Sequence, residues 1–394
     1  MELETLALSA RAGMLRPSPT LSITAKANAL KAAGEDVVSF AAGEPDFNTP
    51  EPIIDAAIDA LHAGFTKYTP TSGIAPLKEA IAGKLLRENG VKVSPEQVVV
   101  GCGAKQSLYE TFQVLLDPGD EVIIVAPFWM THAEQVRLAG GVPRIVHARA
   151  EHGFVPAYDD LKEAVGPRTK AILVNSPSNP TGAVLPRETL KEIAALALRH
   201  GLWIVTDEIY ERLVYGGTTH TSIASLGSEV AERTITIGGC SKSYAMTGWR
   251  IGFAAAPLPV AKAMSNLQDQ ITSNPTSFAQ KGATVAFNLP AEAVEAMRAE
   301  FEARRDLIVG LLRGIPGVTI AEPKGAFYAF PDFSAFMGGD DMALATHLLE
   351  EAKVAVIPGS VFEGTGHLRL TYACSRADIQ RGVERIAEAV SRLS

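Results

Sequence analysis

Arg369 is a charged side chain inside the apolar run Leu368-Arg369-Leu370-Thr371-Tyr372. A run of this composition is typical of a buried β-strand, where a guanidinium is costly to bury without a partner. We therefore expect Arg369 to have an anionic partner. That partner is either a carboxylate of a bound ligand or an acidic side chain of the protein in an internal salt bridge.

A second candidate anion site is the segment Gly101-Cys102-Gly103-Ala104-Lys105, which follows a predicted strand and opens a predicted helix. The N–H groups of Gly103, Ala104 and Lys105 at the start of that helix can meet an anion. Lys105 opposes the helix dipole, so it should pair with a substrate, a phosphate group or a nearby carboxylate. The glycine spacing is not a dinucleotide fingerprint, because Gln106 stands where that motif requires a small residue.

Polar or aromatic residues come directly after five of the predicted strands. In an open parallel α/β sheet, ligands bind beyond the carboxyl ends of the strands, so these residues can converge on one ligand. The five segments are 101–105 after Val98–Val100, 127–129 after Val122–Val125, 175–182 after Ala171–Val174, 207–210 after Trp203–Thr206, and 241–242 after Thr234–Ile237.

The elements that must hold these residues alternate between apolar strands and helices. This alternation predicts an α/β fold with a mostly parallel sheet covered by helices on both faces. We expect Thr49-Pro50 to cap a helix, Lys105–Leu116 to form another, and Ile251–Ala255 to form a further strand.

The character of the sequence changes after about residue 290, which predicts a second, smaller α+β domain. Its expected elements are a charged helix at Glu292–Arg313, short strands near Ala326–Phe330 and Leu368–Thr371, and a closing helix from Arg376. The segment before residue 46 has only the strand-like run Val37–Phe40 and should pack with the C-terminal part. The predicted division is an N-terminal arm that joins the small domain (1–45), a large ligand-binding domain (46–289) and a small C-terminal domain (290–394).

Composition excludes several classes of function. The 394 residues carry a formal net charge of −8, which implies no basic surface for nucleic acid. The acidic start Met1–Thr5 is unlike a signal peptide, and no apolar run approaches the roughly 18 residues needed to span a bilayer. Three scattered cysteines favour a reducing cytosol, and eight histidines without an HExxH motif give no support for a metal site.

Three motifs carry a family resemblance that runs from about Ala42 to Tyr372. They are Asn-Pro-Thr-Gly at 179–182, Asp-Glu-Ile-Tyr at 207–210 and Ser-Lys-Ser-Tyr-Ala-Met-Thr-Gly-Trp-Arg-Ile-Gly at 241–252. Together and in this order they resemble the aspartate aminotransferase family of pyridoxal 5′-phosphate (PLP) enzymes of fold type I. The resemblance implies an aminotransferase that uses PLP and works as a homodimer with shared active sites.

Within that resemblance, Lys242 is similar to the lysine that holds PLP as a Schiff base and then carries the proton from the substrate's Cα. An imine needs a neutral amine, and the pKa of a lysine falls readily on desolvation near other cations. Asp207 resembles the carboxylate that keeps the pyridine nitrogen protonated. His132 resembles the histidine behind that aspartate. A helix cap for Asp207 and a structural role for His132 are the alternatives.

Other residues resemble contacts to the rest of the cofactor. Asn179 and Tyr210 are similar to the donors to its phenolic oxygen, and Trp129 to the ring that stacks on its face. A turn at Asn179 and a core role for Trp129 remain open. The residues expected to bind the phosphate are Gly103, Ala104, Lys105, Ser241 and Arg250, with Tyr68 lent by the partner subunit unless it is a structural tyrosine.

The resemblance also implies a substrate site. The residues expected there are Gly43, Lys105, Trp129, Asn179 and Arg369. Arg369 is similar to the arginine that binds the α-carboxylate in a two-pronged contact.

The sequence departs from the best-known branch of the family in the contact to the distal carboxylate. That branch uses an arginine upstream of Ser-Asn-Pro, whereas this chain has Gln268 and Gln270 there. Lys105 and the segment 16–20, Arg-Pro-Ser-Pro-Thr, are instead similar to a bacterial aspartate/prephenate aminotransferase branch. Aspartate and glutamate are therefore the expected substrates. The alternatives are aromatic, other neutral or prephenate substrates, a PLP-dependent lyase, and a PLP-sensing protein without activity.

Overall fold

The computed structural model describes residues 8–14 and 19–393. Within these residues the chain forms fourteen α-helices and twelve β-strands. The strands are β1 (Val38–Ser39), β2 (Val98–Gly101), β3 (Glu121–Ala126), β4 (Val142–His147), β5 (Thr169–Asn175), β6 (Trp203–Asp207), β7 (Thr234–Gly239), β8 (Gly252–Ala255), β9 (Tyr328–Ala329), β10 (Val354–Ala355), β11 (Ile357–Pro358) and β12 (Leu368–Thr371).

The helices lie between most of these strands, as the alternating pattern predicts. They are α1 (Ala10–Met14), α2 (Pro19–Ala32), α3 (Glu51–His62), α4 (Ala75–Lys84), α5 (Ala104–Leu115), α6 (Thr131–Leu138), α7 (Tyr158–Glu163), α8 (Arg187–His200), α9 (Ser228–Ala231), α10 (Leu258–Ile271), α11 (Ser277–Asn288), α12 (Glu292–Arg313), α13 (Asp341–Glu350) and α14 (Arg376–Ser391). None of the described helices is long and apolar enough to cross a membrane.

The large sheet has the strand order β2-β8-β7-β6-β5-β3-β4. Strands β4, β3, β5, β6 and β7 are parallel, and β8 is antiparallel to both of its neighbours, β7 and β2. Strand β2 therefore runs in the same direction as β7. The carboxyl ends of β2, β3, β5, β6 and β7 meet at one edge, so the prediction of an α/β fold with a mostly parallel sheet is confirmed.

Strand β4 is an element that the sequence analysis did not predict. It is the last strand in the sheet order, and it carries Pro143, Arg144 and His147 among its six residues. Val142 is 43% exposed, and most of the strand is at least partly exposed. An edge strand needs no continuous apolar run, which explains why the apolar pattern is absent.

Two small sheets contain the N-terminal and C-terminal strands. Strand β1 pairs in parallel with β10, with Val38 opposite Val354, so the N-terminal strand lies beside a C-terminal one. Strands β11, β12 and β9 form an antiparallel sheet in which Arg369 of β12 lies opposite Ile357. The division at residues 45 and 289 stays a prediction.

The start of α3 corrects one expectation. Pro50 is the N-cap residue, but no side chain caps this helix. Thr49 instead donates its hydroxyl to the Ala245 carbonyl at 2.8 Å and accepts from Trp249 Nε1 at 3.1 Å. The Thr49 hydroxyl therefore fixes the segment that follows Lys242 and is not free to cap the helix.

Gly252, at the start of β8, lies against the first turn of α5. A Cβ atom at position 252 would lie 2.1 Å from Ala104 N and 2.4 Å from Gly103 C. Both atoms belong to the backbone and cannot rotate away. The lack of a side chain at Gly252 thus allows the helix start to sit directly on the sheet.

We predict that Gly252→Ala destabilises the protein by about 2–3 kcal/mol, because overpacking against backbone forces the helix start to move. The melting temperature should fall. Gly248→Ala is the matched control, since a Cβ atom there has nothing within 4 Å. Equal melting temperatures for the two variants would contradict the packing argument.

Candidate active site

Asp207 is a buried carboxylate at the carboxyl end of β6. His132, from α6, donates through Nε2 to Asp207 Oδ2 at 3.1 Å, and the Ile209 N–H donates to Oδ1 at 3.2 Å. Asp207 is 3% exposed and His132 is fully buried. Each carboxylate oxygen thus accepts a hydrogen bond that fixes the orientation of the carboxylate, and the predicted pairing of His132 with Asp207 is present.

Lys242 follows β7 and points its amine at the N-terminal segment. Its Nζ donates to the Gly43 carbonyl and lies 5.7 Å from the centre of the Phe327 ring. Burial lowers the pKa of Lys242 to about 8, and the Glu44 carboxylate partly opposes this effect. A larger share of this amine is therefore neutral at pH 7 than for an ordinary lysine.

Tyr210 and Asn179 lie beyond the ends of β6 and β5. The Tyr210 hydroxyl is hydrogen-bonded to the Tyr328 hydroxyl at 2.9 Å, and burial holds the pKa of Tyr210 well above its usual range. Asn179 Oδ1 accepts a hydrogen bond from Arg369. The amide N–H groups of Asn179 take no part in that bond. Both side chains can donate to an oxygen of a ligand.

Arg369 is 2% exposed in β12 and forms no ion pair with a carboxylate of the described residues. Its guanidinium donates to Asn179 Oδ1 at 3.2 Å and to the Ala41 carbonyl at 2.9 Å, and the rings of Tyr328 and Phe362 cover it. Within the same residues its Nε atom has no partner. The internal salt bridge that the sequence left open is thus absent from the described part of the chain.

The start of α5 and Arg250 form a cup with donors for an anion. Arg250 has a left-handed backbone with φ of 56°, and its guanidinium donates to the Thr247 and Cys102 carbonyls at 2.8 and 3.3 Å. A Cβ atom on Gly103 would lie 2.5 Å from this guanidinium. The first N–H groups of α5, including that of Ala104, have no partner within the helix.

Ser241, which is predicted to join this cup, is buried and directly precedes Lys242 in the chain.

Lys105 lies at the same helix start, with its amine 4.9 Å from the centre of the Trp129 ring. Desolvation and then the charge of Arg250 lower the pKa of Lys105. Among residues 8–14 and 19–393, no carboxylate forms an ion pair with it. Trp129 is half-buried and packs edge-on against His132, with ring centres 5.3 Å apart.

Tyr68 is 90% exposed in this chain, although its loop is well fixed. Gln280 accepts from the Ile74 N–H at 2.9 Å and donates to Thr69 Oγ1 at 3.1 Å. Gln268 is fully buried and donates to the Thr71 carbonyl at 2.8 Å. Gln268 therefore supports this loop.

The two glutamines and the segment 16–20 differ in what the structure describes. Gln270 is exposed in this chain, whereas Gln268 is used to support the Thr71 loop. Arg16, Pro17 and Ser18 lie outside the described residues, and Pro19 and Thr20 begin α2.

The sequence analysis missed Phe327 and Tyr328, which line the site from the C-terminal part. A tyrosine in an otherwise apolar strand was the available signal, since a buried tyrosine hydroxyl needs a hydrogen-bond partner. Its partner, Tyr210, is distant in sequence. The motif pattern could therefore not identify this contact.

Among the described residues, one cluster outside the site has metal-ligand chemistry: Glu208, Glu211 and His220. Its groups are already paired within the protein. His220 lies 3.1 Å from Glu208, and the buried Lys84 forms an ion pair with Glu211. Lys84 thus already supplies a positive charge beside Glu211.

Comparisons with known proteins agree with this geometry. Residues 35–386 match the family described as aminotransferase class I and II. The chain is 51% identical to an aspartate aminotransferase of Geobacillus stearothermophilus, over 96% of this chain and 98% of that protein. It is 50% identical to a probable aspartate/prephenate aminotransferase of Aquifex aeolicus, over 98% and 99% of the two chains.

The fold has a counterpart among solved structures. The aspartate aminotransferase of Thermus thermophilus with maleate superimposes with a TM-score of 0.93 at 44% identity, over 98% of this chain and 100% of that one. The predicted family and fold type I are thus confirmed. The chain belongs to the class I and II aminotransferases and is a PLP-dependent aminotransferase.

Proposed function

We propose that this enzyme exchanges an amino group between L-aspartate or L-glutamate and a 2-oxo acid such as 2-oxoglutarate. The observation that carries the proposal is Arg369, a buried guanidinium without a carboxylate partner among the described residues. It donates to the Ala41 carbonyl, and Lys242 donates to the Gly43 carbonyl two residues away. A substrate carboxylate on Arg369 would therefore place the adjacent Cα near the Lys242 amine.

The donor groups of the site suit PLP. We assign the phosphate to the start of α5 at Gly103, Ala104 and Lys105, with Ser241 and Arg250, because this cup offers N–H groups and a guanidinium together. Asp207 supplies a fixed carboxylate for the ring nitrogen. When bound, PLP accepts the electrons that are released as the substrate's Cα–H bond breaks.

The remaining ring contacts come from three side chains. Asn179 and Tyr210 would donate to the phenolic oxygen, and Trp129 would cover the ring face. The burial of Asn179 and Tyr210 and the position of Trp129 beside His132 support these roles. The same Asn179 holds Arg369, so it also contributes to the substrate site together with Gly43.

Lys242 has the properties of a proton carrier. With a pKa of about 8, the free amine accepts a proton near neutral pH and gives it up again at little cost. Its amine donates to the Gly43 carbonyl and lies 5.7 Å from the centre of the Phe327 ring, in a partly buried position.

We predict that the rate at which apoprotein captures PLP follows the neutral form of Lys242. Because the pKa is lowered to about 8, the rate should rise about tenfold per pH unit below pH 8 and level off above it. Stopped-flow absorbance from pH 6 to 10 measures this rate. A rate that still rises near pH 10 would show an ordinary lysine pKa, and Lys242→Ala should show no covalent capture and almost no turnover.

Lys105 is the residue that we assign to the distal carboxylate of an acidic substrate. It has a lowered pKa and no carboxylate partner in the described part of the chain, which argues against a merely structural ion pair. Prephenate and aromatic or other neutral amino acids form the alternative substrate class. The name of the Aquifex aeolicus relative supports prephenate.

We predict that Lys105→Ser costs roughly 2–5 kcal/mol in kcat/KM for aspartate and little for phenylalanine, because the distal carboxylate loses its partner. Lys262→Ser, an exposed lysine of α10, is the matched control. If the rates for both substrates fall together and PLP dissociates faster, Lys105 serves the phosphate. Another group, such as Arg16, would then bind the distal carboxylate.

We further propose a homodimer in the cytosol, in which Tyr68 reaches the PLP phosphate of the partner subunit. The 90% exposure of Tyr68 on a fixed loop supports this arrangement, since such a ring is available to a second chain. The three free cysteines agree with a reducing compartment.

We predict that Tyr68→Phe raises the dissociation constant for PLP by an amount equal to about 1–2 kcal/mol, as expected for one hydrogen bond to a charged group. Light scattering should show a dimer for the wild type and for the variant. Tyr158→Phe, on α7, is the matched control and should bind PLP normally. A fully active monomer at all dilutions would contradict the shared site.

A further inference from the structure

Tyr328 contacts a residue of the proposed cofactor site and a residue of the proposed substrate site, yet it belongs to none of the sequence motifs. Its hydroxyl lies 2.9 Å from the Tyr210 hydroxyl, and its ring centre lies 4.7 Å from the Arg369 guanidinium. The side chain is 1% exposed. It therefore joins a group assigned to the cofactor to a group assigned to the substrate.

Tyr210 and Tyr328 each have one hydroxyl hydrogen to donate. Burial raises the pKa of both Tyr210 and Tyr328, so each keeps its hydroxyl hydrogen at neutral pH. In a pair of neutral hydroxyls, one donates and the other accepts. If Tyr210 donates to the ring oxygen of the cofactor, its own oxygen must accept the hydrogen of Tyr328.

The segment that carries Tyr328 is anchored to the loops that carry its partners. The Gly325 N–H donates to the Gly182 carbonyl at 2.9 Å, and the Ala326 N–H donates to the Leu213 carbonyl at 2.9 Å. Gly182 ends the Asn179 motif, and Leu213 follows Tyr210 by three residues. These hydrogen bonds fix the segment of Tyr328 relative to the loops that carry Asn179 and Tyr210.

We propose that Tyr328 is a positioning residue for the reaction. Its hydroxyl directs the hydrogen of Tyr210 at the ring oxygen of the cofactor, and its ring face holds the Arg369 guanidinium in place for the substrate carboxylate. The inference rests on the proposed function of Tyr210 and Arg369. It adds a residue that acts through both of them.

The charged groups around the pair come from several elements. Asp207 ends β6 three residues before Tyr210, and Arg369 faces the pair from β12. Lys242 lies near Asp207 and Arg369, with Glu44 beside it. Tyr328→Phe changes none of these charges. A change in the titration of the bound cofactor in this variant therefore reports the lost hydroxyl.

The first test is the pH dependence of the visible absorbance of the PLP-loaded enzyme without substrate. A hydrogen bond to the ring oxygen favours its unprotonated, anionic form, so weakening that bond raises the pKa. In Tyr328→Phe the midpoint should rise by roughly half a pH unit, and in Tyr210→Phe by more. Adding Tyr328→Phe to Tyr210→Phe should produce no further shift, because the chain of hydrogen bonds is already broken.

The second test separates the ring from the hydroxyl. Maleate, a dicarboxylate that cannot react, is titrated into the loaded enzyme. Tyr328→Phe keeps the ring and should bind maleate within about twofold of the wild type, whereas Tyr328→Leu should bind about tenfold more weakly.

In Tyr328→Phe, kcat should fall while KM for aspartate stays nearly constant.

Tyr215→Phe controls for the loss of a buried tyrosine hydroxyl in this region. Its hydroxyl donates to the Ala326 carbonyl, and the side chain is 1% exposed. This variant should lose stability without any shift of the absorbance midpoint. A Tyr328→Phe enzyme that titrates like the wild type, or single-variant shifts that simply add, would overturn the inference.

Failure of the proposed function gives a different result. In that case Tyr210→Phe does not shift the midpoint, or the wild type does not bind maleate. If the wild type binds maleate and Tyr210→Phe shifts the midpoint, the function stands and Tyr328 is tested by itself.

Discussion

The site depends on two cations, the buried Arg369 and the partly buried Lys242, that share one short segment of backbone. Lys242 and Arg369 donate to the Gly43 and Ala41 carbonyls, and neither has a carboxylate partner among the residues described. Burial without a counter-charge is unfavourable, and this is visible in the lowered pKa of both groups. The protein thus holds positive charge at low dielectric, where an incoming carboxylate or phosphate interacts with it strongly.

The rest of the fold serves to bring these cations together from distant parts of the chain. The large sheet delivers Lys242 and Asp207 at the ends of neighbouring strands, and Asn175 lies directly opposite Asp207 in the sheet register. The C-terminal sheet delivers Arg369, with Tyr328 on the adjacent strand. The close approaches at Gly252 and Gly103 let the start of α5 and Arg250 complete the cup.

Much of this arrangement was predictable because it follows local rules. Apolar runs identified most strands of the large sheet, and the rule that ligands bind beyond the carboxyl ends of parallel strands located Lys242, Asp207 and Asn179. Strand β4 was missed because an exposed edge strand has no apolar run.

Tyr328 was missed for a different reason. Its importance lies in contacts with Tyr210 and Arg369 that only the tertiary structure creates. The same limit applies to Thr49, whose hydroxyl bonds to Ala245 rather than to its own helix. Pairings between distant segments leave no signal in a single sequence.

The pairing of β1 with β10 has a consequence for how the chain is made. Val38 leaves the ribosome early, but its partner Val354 is synthesised almost a whole chain later. Contacts of such high sequence separation carry a large entropic cost and form slowly. The N-terminal strand therefore stays without its partner while most of the protein is translated.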